Sequence, residues 1–107
     1  MTQLSATELA KWMNSAQSEA PLLLDVREPW EFEVAHIAGS LHLPMGSIPS
    51  ALEQIPTQRP VVCVCHHGIR SQQVALFLKS RGFNPLYNLS GGIDAWSREV
   101  DPTCPTY

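Results

Sequence analysis

Short apolar runs alternate with helical patterns along this chain, and no other feature of the sequence constrains its fold as strongly. Four of these runs are predicted to be strands: PLLLDV, SLHLP, PVVCV and PLYNL. Helical patterns precede the first run, separate the others and follow the last one. Such alternation predicts an α/β fold with a mostly parallel central sheet of four to five strands and helices on both faces.

The predicted helices have recognisable beginnings and ends. Ser5 and Glu8 fit a capping box ahead of the first helix, and Pro29 suits the first turn of the second. SIPSALEQI predicts a third helix. From Arg70 to Gly82 apolar residues recur with a period of about 3.6, and GGIDAWSRE predicts a final helix. The tail DPTCPTY has two prolines and no periodicity, so we expect it to lie extended on the surface.

Length and composition limit the classes of protein to be considered. The 107 residues fit one domain, so we expect residues 1–107 to form a single domain. A formal net charge of −3 argues against a nucleic-acid partner, and no apolar run approaches the ~18 residues of a membrane span. The N-terminus lacks a secretory pattern, and three cysteines do not suggest a disulfide framework. We therefore expect a cytoplasmic protein with reduced thiols and without nucleic-acid or membrane partners.

Charge is distributed unevenly along the chain. Between Glu53 and Asp94 there is no acidic residue, and four basic residues lie in that span: Arg59, Arg70, Lys79 and Arg81. A locally basic segment of an acidic protein suits a small anionic substrate. The same four residues are equally compatible with an ordinary solvated surface.

The sharpest chemical signal is Cys65, where the strand PVVCV gives way to a loop that leads into a helix. Loop amides and a helix N-terminus stabilise a thiolate, which makes Cys65 the predicted nucleophile. Gly68 allows the loop amides to converge, and Arg70 offers a fork of donors to an anionic oxygen. Ser71 either caps the helix or donates its hydroxyl to the sulfur. Cys63, between two valines, is expected to be a buried core residue.

The crowded segment CVCHH also raises the alternatives of a metal site and a redox pair. Structural zinc sites usually combine two separated pairs of ligands, and a second pair is missing here, so we expect neither metal nor cofactor. Cys63 and Cys65 are one residue apart on a strand, a geometry that suits a disulfide poorly. A regulatory role for Cys104, through contact with Cys65, stays open.

Four segments, LLLDVREPWEF, HIAGSLHLP, CHHGIRS and LSGGIDAW, have an order and spacing that resemble the rhodanese domain family of single-domain sulfurtransferases. The resemblance extends from about Leu4 to Tyr107 and implies a single rhodanese-type domain. It implies that Cys65 attacks the sulfane sulfur of a donor such as thiosulfate or a persulfide and becomes a persulfide itself. The sulfur then passes to cyanide or to a thiol, including the thiol of another protein.

Residue by residue, the resemblance assigns binding of the donor to the loop that follows the cysteine. The residues implied are His66, His67, Gly68, Ile69, Arg70 and Ser71. Within this set, Arg70 is expected to meet the anionic group of the donor. Asp25 and Arg27 match the family's DVRE segment, where we expect a supporting role, with Asp25 as partner of the backbone or of Arg27. Gly91, Gly92 and Trp96 are expected to be structural.

Loop length separates the remaining functions. Related phosphatases share the fold but have one more residue between cysteine and arginine, whereas four residues lie between Cys65 and Arg70. This length matches the sulfurtransferases and disfavours a phosphatase or an arsenate reductase. A persulfide carrier or protein-interaction module without thiosulfate turnover is the main alternative.

Overall fold

A computed structural model describes all residues from 1 to 107. Its central sheet has five parallel strands in the order β1-β5-β4-β2-β3. The strands are β1 (Thr2–Leu4), β2 (Leu22–Asp25), β3 (Leu41–His42), β4 (Val61–Val64) and β5 (Leu86–Leu89). The α-helices are α1 (Ala6–Met13), α2 (Pro29–Val34), α3 (Ile69–Ser80) and α4 (Gly92–Glu99). The predicted α/β fold with a parallel sheet is therefore confirmed.

The helix ends follow the local signals of the sequence. At the start of α1 the amide of Glu8 donates to Ser5 Oγ at 3.1 Å, and the amide of Ser5 donates to Glu8 Oε1 at 2.8 Å. This is the predicted capping box, which satisfies two amides that the first turn leaves without helical partners. The second helix begins at Pro29, as predicted.

The segment SIPSALEQI was predicted to be one helix, and this prediction was wrong in form. The structure has two short 3-10 helices, Met45–Ser50 and Leu52–Gln54, which are separated by Ala51. Pro49 lies inside the first of them, and its missing amide hydrogen cannot serve an α-helical ladder. The tighter turn instead ends with the amide of Ala51 donating to the Ile48 carbonyl at 3.0 Å.

Strand β4 is buried on both faces and separates two apolar clusters. Val61 and Cys63 belong to one cluster, which α3 and the 3-10 segment cover. Val62 and Val64 belong to the other, which α1 and α4 cover. Side chains alternate across a strand, so the two clusters lie on opposite faces of the sheet. The prediction of helices on both faces is confirmed.

The tail lies largely on the surface, as predicted, but it turns back instead of staying extended and it buries Cys104, so that part of the prediction was wrong. After α4 the amide of Asp101 donates to the Trp96 carbonyl at 2.9 Å, which turns the chain back. Cys104 is buried in the cluster beneath α4, and Tyr107 contacts side chains from α2 and the loop after β4. Burial of apolar surface and new hydrogen bonds both favour this return. No helix in the structure combines the length and apolar character that crossing a membrane requires.

Candidate active site

Cys65 follows β4 directly, and its side chain is buried at the edge of the sheet where the strands end. Its Sγ accepts a hydrogen bond from the amide of Gly68 at 3.1 Å. Gly68 has a φ of +100°, in the left-handed region that other residues adopt at a cost, and it caps α3. The turn therefore directs the amide of Gly68 toward the sulfur at the start of α3.

The N-terminus of α4 fixes the first part of the same loop from the other side. The amide of Ile93 donates to the Cys65 carbonyl at 2.8 Å, and that of Asp94 donates to the His66 carbonyl at 3.1 Å. Gly92 approaches both carbonyls so closely that a methyl group on its Cα would overlap them. This close approach explains the LSGGIDAW motif and agrees with the structural role expected for Gly92.

Behind the sulfur lies a buried polar network. The hydroxyl of Ser71 has two acceptors within reach, Cys65 Sγ at 3.3 Å and Asn88 Oδ1 at a shorter distance, and its one hydrogen serves one of them at a time. Asn88 Nδ2 in turn donates to the carbonyl of Gly68 and to Gln3 Oε1, each at 3.0 Å. The network therefore links the sulfur and the turn at Gly68 to β5 and β1, which holds the loop in position.

Asp25 and Arg27 form a fully buried ion pair, with Arg27 Nη2 and Asp25 Oδ2 2.7 Å apart. Arg27 also donates to the carbonyls of Glu31 and Ala35, at 3.2 Å and 2.6 Å. Burial opposes the charge of Arg27, but hydrogen bonds with Asp25 and Tyr107 outweigh it and raise the pKa of Arg27. The pair connects the end of β2 to α2, so it supports the helix that faces the loop.

Arg70 does not present a free fork of donors. Its Nη1 and Nη2 contact the two carboxylate oxygens of Glu31 at 2.7 Å and 2.9 Å, a bidentate ion pair between α3 and α2. The hydrogen bond from Arg70 lowers the pKa of Glu31 to about 2, and the same bond raises the pKa of Arg70. Glu31 is buried, whereas the Arg70 side chain is 35% exposed.

Tyr107 joins the two ion pairs. Its hydroxyl accepts from Arg27 Nη1 and donates to Glu31 Oε2, both at 2.8 Å. Its ring stacks on His66, with centroids 4.0 Å apart and planes 12° apart. Burial raises the pKa of Tyr107 to about 12, and burial, followed by the charge of His67, lowers the pKa of His66. At neutral pH the site therefore holds a neutral phenol on a neutral imidazole.

Residues 5–99 of the chain match the family described as "Rhodanese-like domain". The chain belongs to the rhodanese-like domain family. A protein named thiosulfate sulfurtransferase GlpE from Tolumonas auensis is 34% identical over 106 residues, covering 99% of each chain. GlpE of Vibrio cholerae is 40% identical over 76 residues, which span 71% of this chain and 72% of that protein.

Solved structures agree with this assignment. The crystal structure of a rhodanese-like domain protein from Staphylococcus aureus superimposes with a TM-score of 0.84 at 26% identity, covering 100% of this chain and 99% of that one. The crystal structure of the protein SSP1007 from Staphylococcus saprophyticus superimposes with a TM-score of 0.85 at 28% identity, covering 98% of this chain and 99% of that one. This rhodanese domain is an enzyme of the sulfurtransferase type, as the resemblance of its four motifs implied.

The rhodanese domain has one group of side chains that could hold a metal ion, and it differs from the cluster considered in the sequence. The ligand atoms of His66, His67 and Asp94 lie within 4.8 Å of one another. However, the two imidazole rings stack on each other, and Asp94 Oδ2 already contacts Arg98 at 2.6 Å. Cys63 points into the core, where burial raises the pKa of its thiol to about 12. Neither arrangement favours a metal.

Three residues of the rhodanese site were missed in the sequence. Glu31 lies three positions after Glu28, a spacing that indicates a helix cap. Its carboxylate does cap α2, because it accepts a hydrogen bond from the Glu28 amide at 3.1 Å. Its second contact, with Arg70, has no local signal. Asn88 was visible as a lone polar residue in the apolar strand PLYNL, and such residues need buried partners. Tyr107 carried no signal at all.

Proposed function

We propose that this rhodanese domain accepts a sulfane sulfur from thiosulfate on Cys65 and passes it to a thiophilic acceptor. The thiolate of Cys65 attacks the outer sulfur, the S–S bond of thiosulfate breaks, and its electron pair leaves with sulfite. A thiol or cyanide then takes the outer sulfur of the persulfide and restores the Cys65 thiolate. The observation that carries this proposal is the single buried sulfur that faces the Gly68 amide and the Ser71 hydroxyl. The two similar proteins named thiosulfate sulfurtransferase GlpE support thiosulfate as donor.

The loop residues have distinct proposed roles. The backbone from His66 to Ser71 holds the donor and then the outer sulfur of the persulfide, and the Gly68 amide, which donates to Cys65 Sγ, stabilises the negative charge there. Arg70 binds the anionic group of the donor with the guanidinium hydrogens that Glu31 leaves free. Asp25 and Arg27 support the loop through α2.

The rim of the site suits an acceptor larger than cyanide. Ile69 is 72% exposed and Trp30 is 59% exposed, and each precedes in sequence one partner of the ion pair between Arg70 and Glu31. Exposed apolar side chains beside a reactive thiol favour contact with the thiol of another protein. A cytoplasmic location completes the proposal, since a reducing compartment keeps Cys65 available as a free thiol. Residues 1–107 act in this scheme as a single domain.

Cysteine variants test the proposal. We expect Cys65→Ser to lower thiocyanate formation from thiosulfate and cyanide at least about a thousandfold, because the nucleophile is removed. Cys63→Ala and Cys104→Ala are matched controls that remove the other two thiols, and we expect both to keep most of the activity. Normal turnover in Cys65→Ser, or its loss in Cys63→Ala, would assign the nucleophile to another residue. Loss in Cys104→Ala would give the tail cysteine a direct role.

A further inference from the structure

Arg70 does not give the site a free positive charge, although the sequence places it in a basic segment. It is paired with Glu31, and the buried Arg27 is paired with Asp25. His66 adds no charge at neutral pH, because burial lowers its pKa. These two pairs therefore sum to zero charge, and the backbone donor that faces Cys65 Sγ is the amide of Gly68.

Glu31 is the carboxylate that matters most for the donor, because its partner Arg70 belongs to the active-site loop. Its side chain is 5% exposed and cannot turn away into solvent. Three groups besides Arg70 Nη1 hold it: Arg70 Nη2, the Tyr107 hydroxyl and the Glu28 amide. The negative charge thus stays beside the exposed guanidinium of Arg70 throughout the reaction.

We propose that Glu31 is a specificity-determining residue that neutralises Arg70 and thereby favours hydropersulfide donors over the dianion thiosulfate. This inference rests on the proposed function of Cys65. Thiosulfate brings two negative charges to the site, and it gains little from an arginine whose charge is already compensated. A protonated hydropersulfide, R–S–SH, brings no charge on the sulfur that is transferred, so it has no need of an unpaired cation.

The reaction with such a donor balances without any further reagent. The Cys65 thiolate attacks the outer sulfur of R–S–SH, and the S–S bond breaks with its electron pair on the R–S⁻ sulfur. The leaving thiolate takes up the proton of the transferred sulfhydryl and departs as R–SH. Cys65 is left as a persulfide anion, which the amide of Gly68 and its neighbours can solvate.

The test is Glu31→Gln, with kcat/KM measured separately for thiosulfate and for cysteine hydropersulfide. We expect kcat/KM for thiosulfate to rise about tenfold, because the charge of Arg70 becomes available at contact distance. The value for the hydropersulfide is expected to change by less than about twofold. The matched control is Glu33→Gln, which removes the same charge from the exposed side of α2. It should leave both values unchanged.

Three outcomes would overturn the inference: an unchanged or lower thiosulfate value in Glu31→Gln, an equal rise for both donors, or an equal rise in Glu33→Gln. If Glu31→Gln does not fold, the salt dependence of the native enzyme decides. A compensated site predicts a thiosulfate kcat/KM that barely changes between about 20 and 300 mM KCl, whereas a steep fall indicates an uncompensated cation. If the protein takes up sulfur from neither donor, the proposed function itself is refuted. If it takes up sulfur from both and Glu31→Gln changes neither kcat/KM, only this inference is refuted.

Discussion

Tyr107 shows how much a single side chain contributes to this site. One hydroxyl lies between Arg27 and Glu31, at 2.8 Å from each, and so connects the ion pair of β2 to the ion pair of the loop. Hydrogen bonds to charged groups are stronger than neutral ones, and both partners of this hydroxyl are charged. The same residue covers His66 with its ring. The position of α2 beside the loop therefore depends on a residue at the far end of the chain.

We predict that Tyr107→Phe lowers the free energy of unfolding by about 1–3 kcal/mol. This is the cost of removing a hydroxyl whose charged partners, Arg27 and Glu31, stay buried. The ring and its stacking on His66 remain, so the variant isolates the hydroxyl. Urea unfolding followed by tryptophan fluorescence measures the change. Tyr87→Phe is the control, because Tyr87 packs edge-on against Trp12 and contacts neither ion pair. We expect a change within about 0.5 kcal/mol there, and equal losses in both variants would contradict the account.

At the scale of elements, the active-site loop is held between two helices. Helix α3 begins at the turn whose amide faces the sulfur, while α4 donates its first amides to the carbonyls of Cys65 and His66. An amide at a helix N-terminus has no partner within the helix, so these bonds satisfy donors that would otherwise be left over. Gly92 makes them possible, since its φ of +59° and its lack of a side chain let α4 approach the loop.

We predict that Gly92→Ala destabilises the fold by about 3 kcal/mol or more and reduces sulfur transfer, because the new methyl group overlaps backbone that cannot move independently of Cys65. Urea unfolding and kcat/KM for thiosulfate measure the two effects. Gly46→Ala is the matched control, since a methyl group there meets nothing within 4 Å and the backbone is not left-handed. The control should change stability by less than about 1 kcal/mol. Similar behaviour of the two variants would mean that α4 does not position the loop.

Across the whole molecule, the sequence predicted the secondary structure best where a functional motif and a clear local pattern lie on the same residues. The run of β-branched residues before Cys65 and the helical period after it defined β4, α3 and their junction. Strand β1 was missed, because Thr2–Leu4 has no apolar run and becomes a strand only by pairing with β5. The prediction of one helix over SIPSALEQI was wrong, because Pro49 within it outweighed the helical pattern.

Charge was the property that the sequence represented least well. Arg70 lies in a span without acidic residues, yet its partner Glu31 is 39 positions earlier in the chain. Tyr107 reaches Glu31 across 76 positions. Such contacts depend on how the sheet brings β2 and β4 side by side, and no local pattern reports it. Arg70, which lies in a basic segment of the sequence, is thus compensated by Glu31 in the fold.

We propose that Cys65 carries the one transferable sulfur of this fold. The intact mass of the reduced protein, after incubation with thiosulfate and removal of the excess, tests this directly. We predict a gain of one sulfur atom per chain, located by peptide mapping on the segment that contains Cys65 and removed by cyanide as thiocyanate. An unchanged mass, or a sulfur atom on Cys63 or Cys104 instead, would show that Cys65 is not the sulfur acceptor.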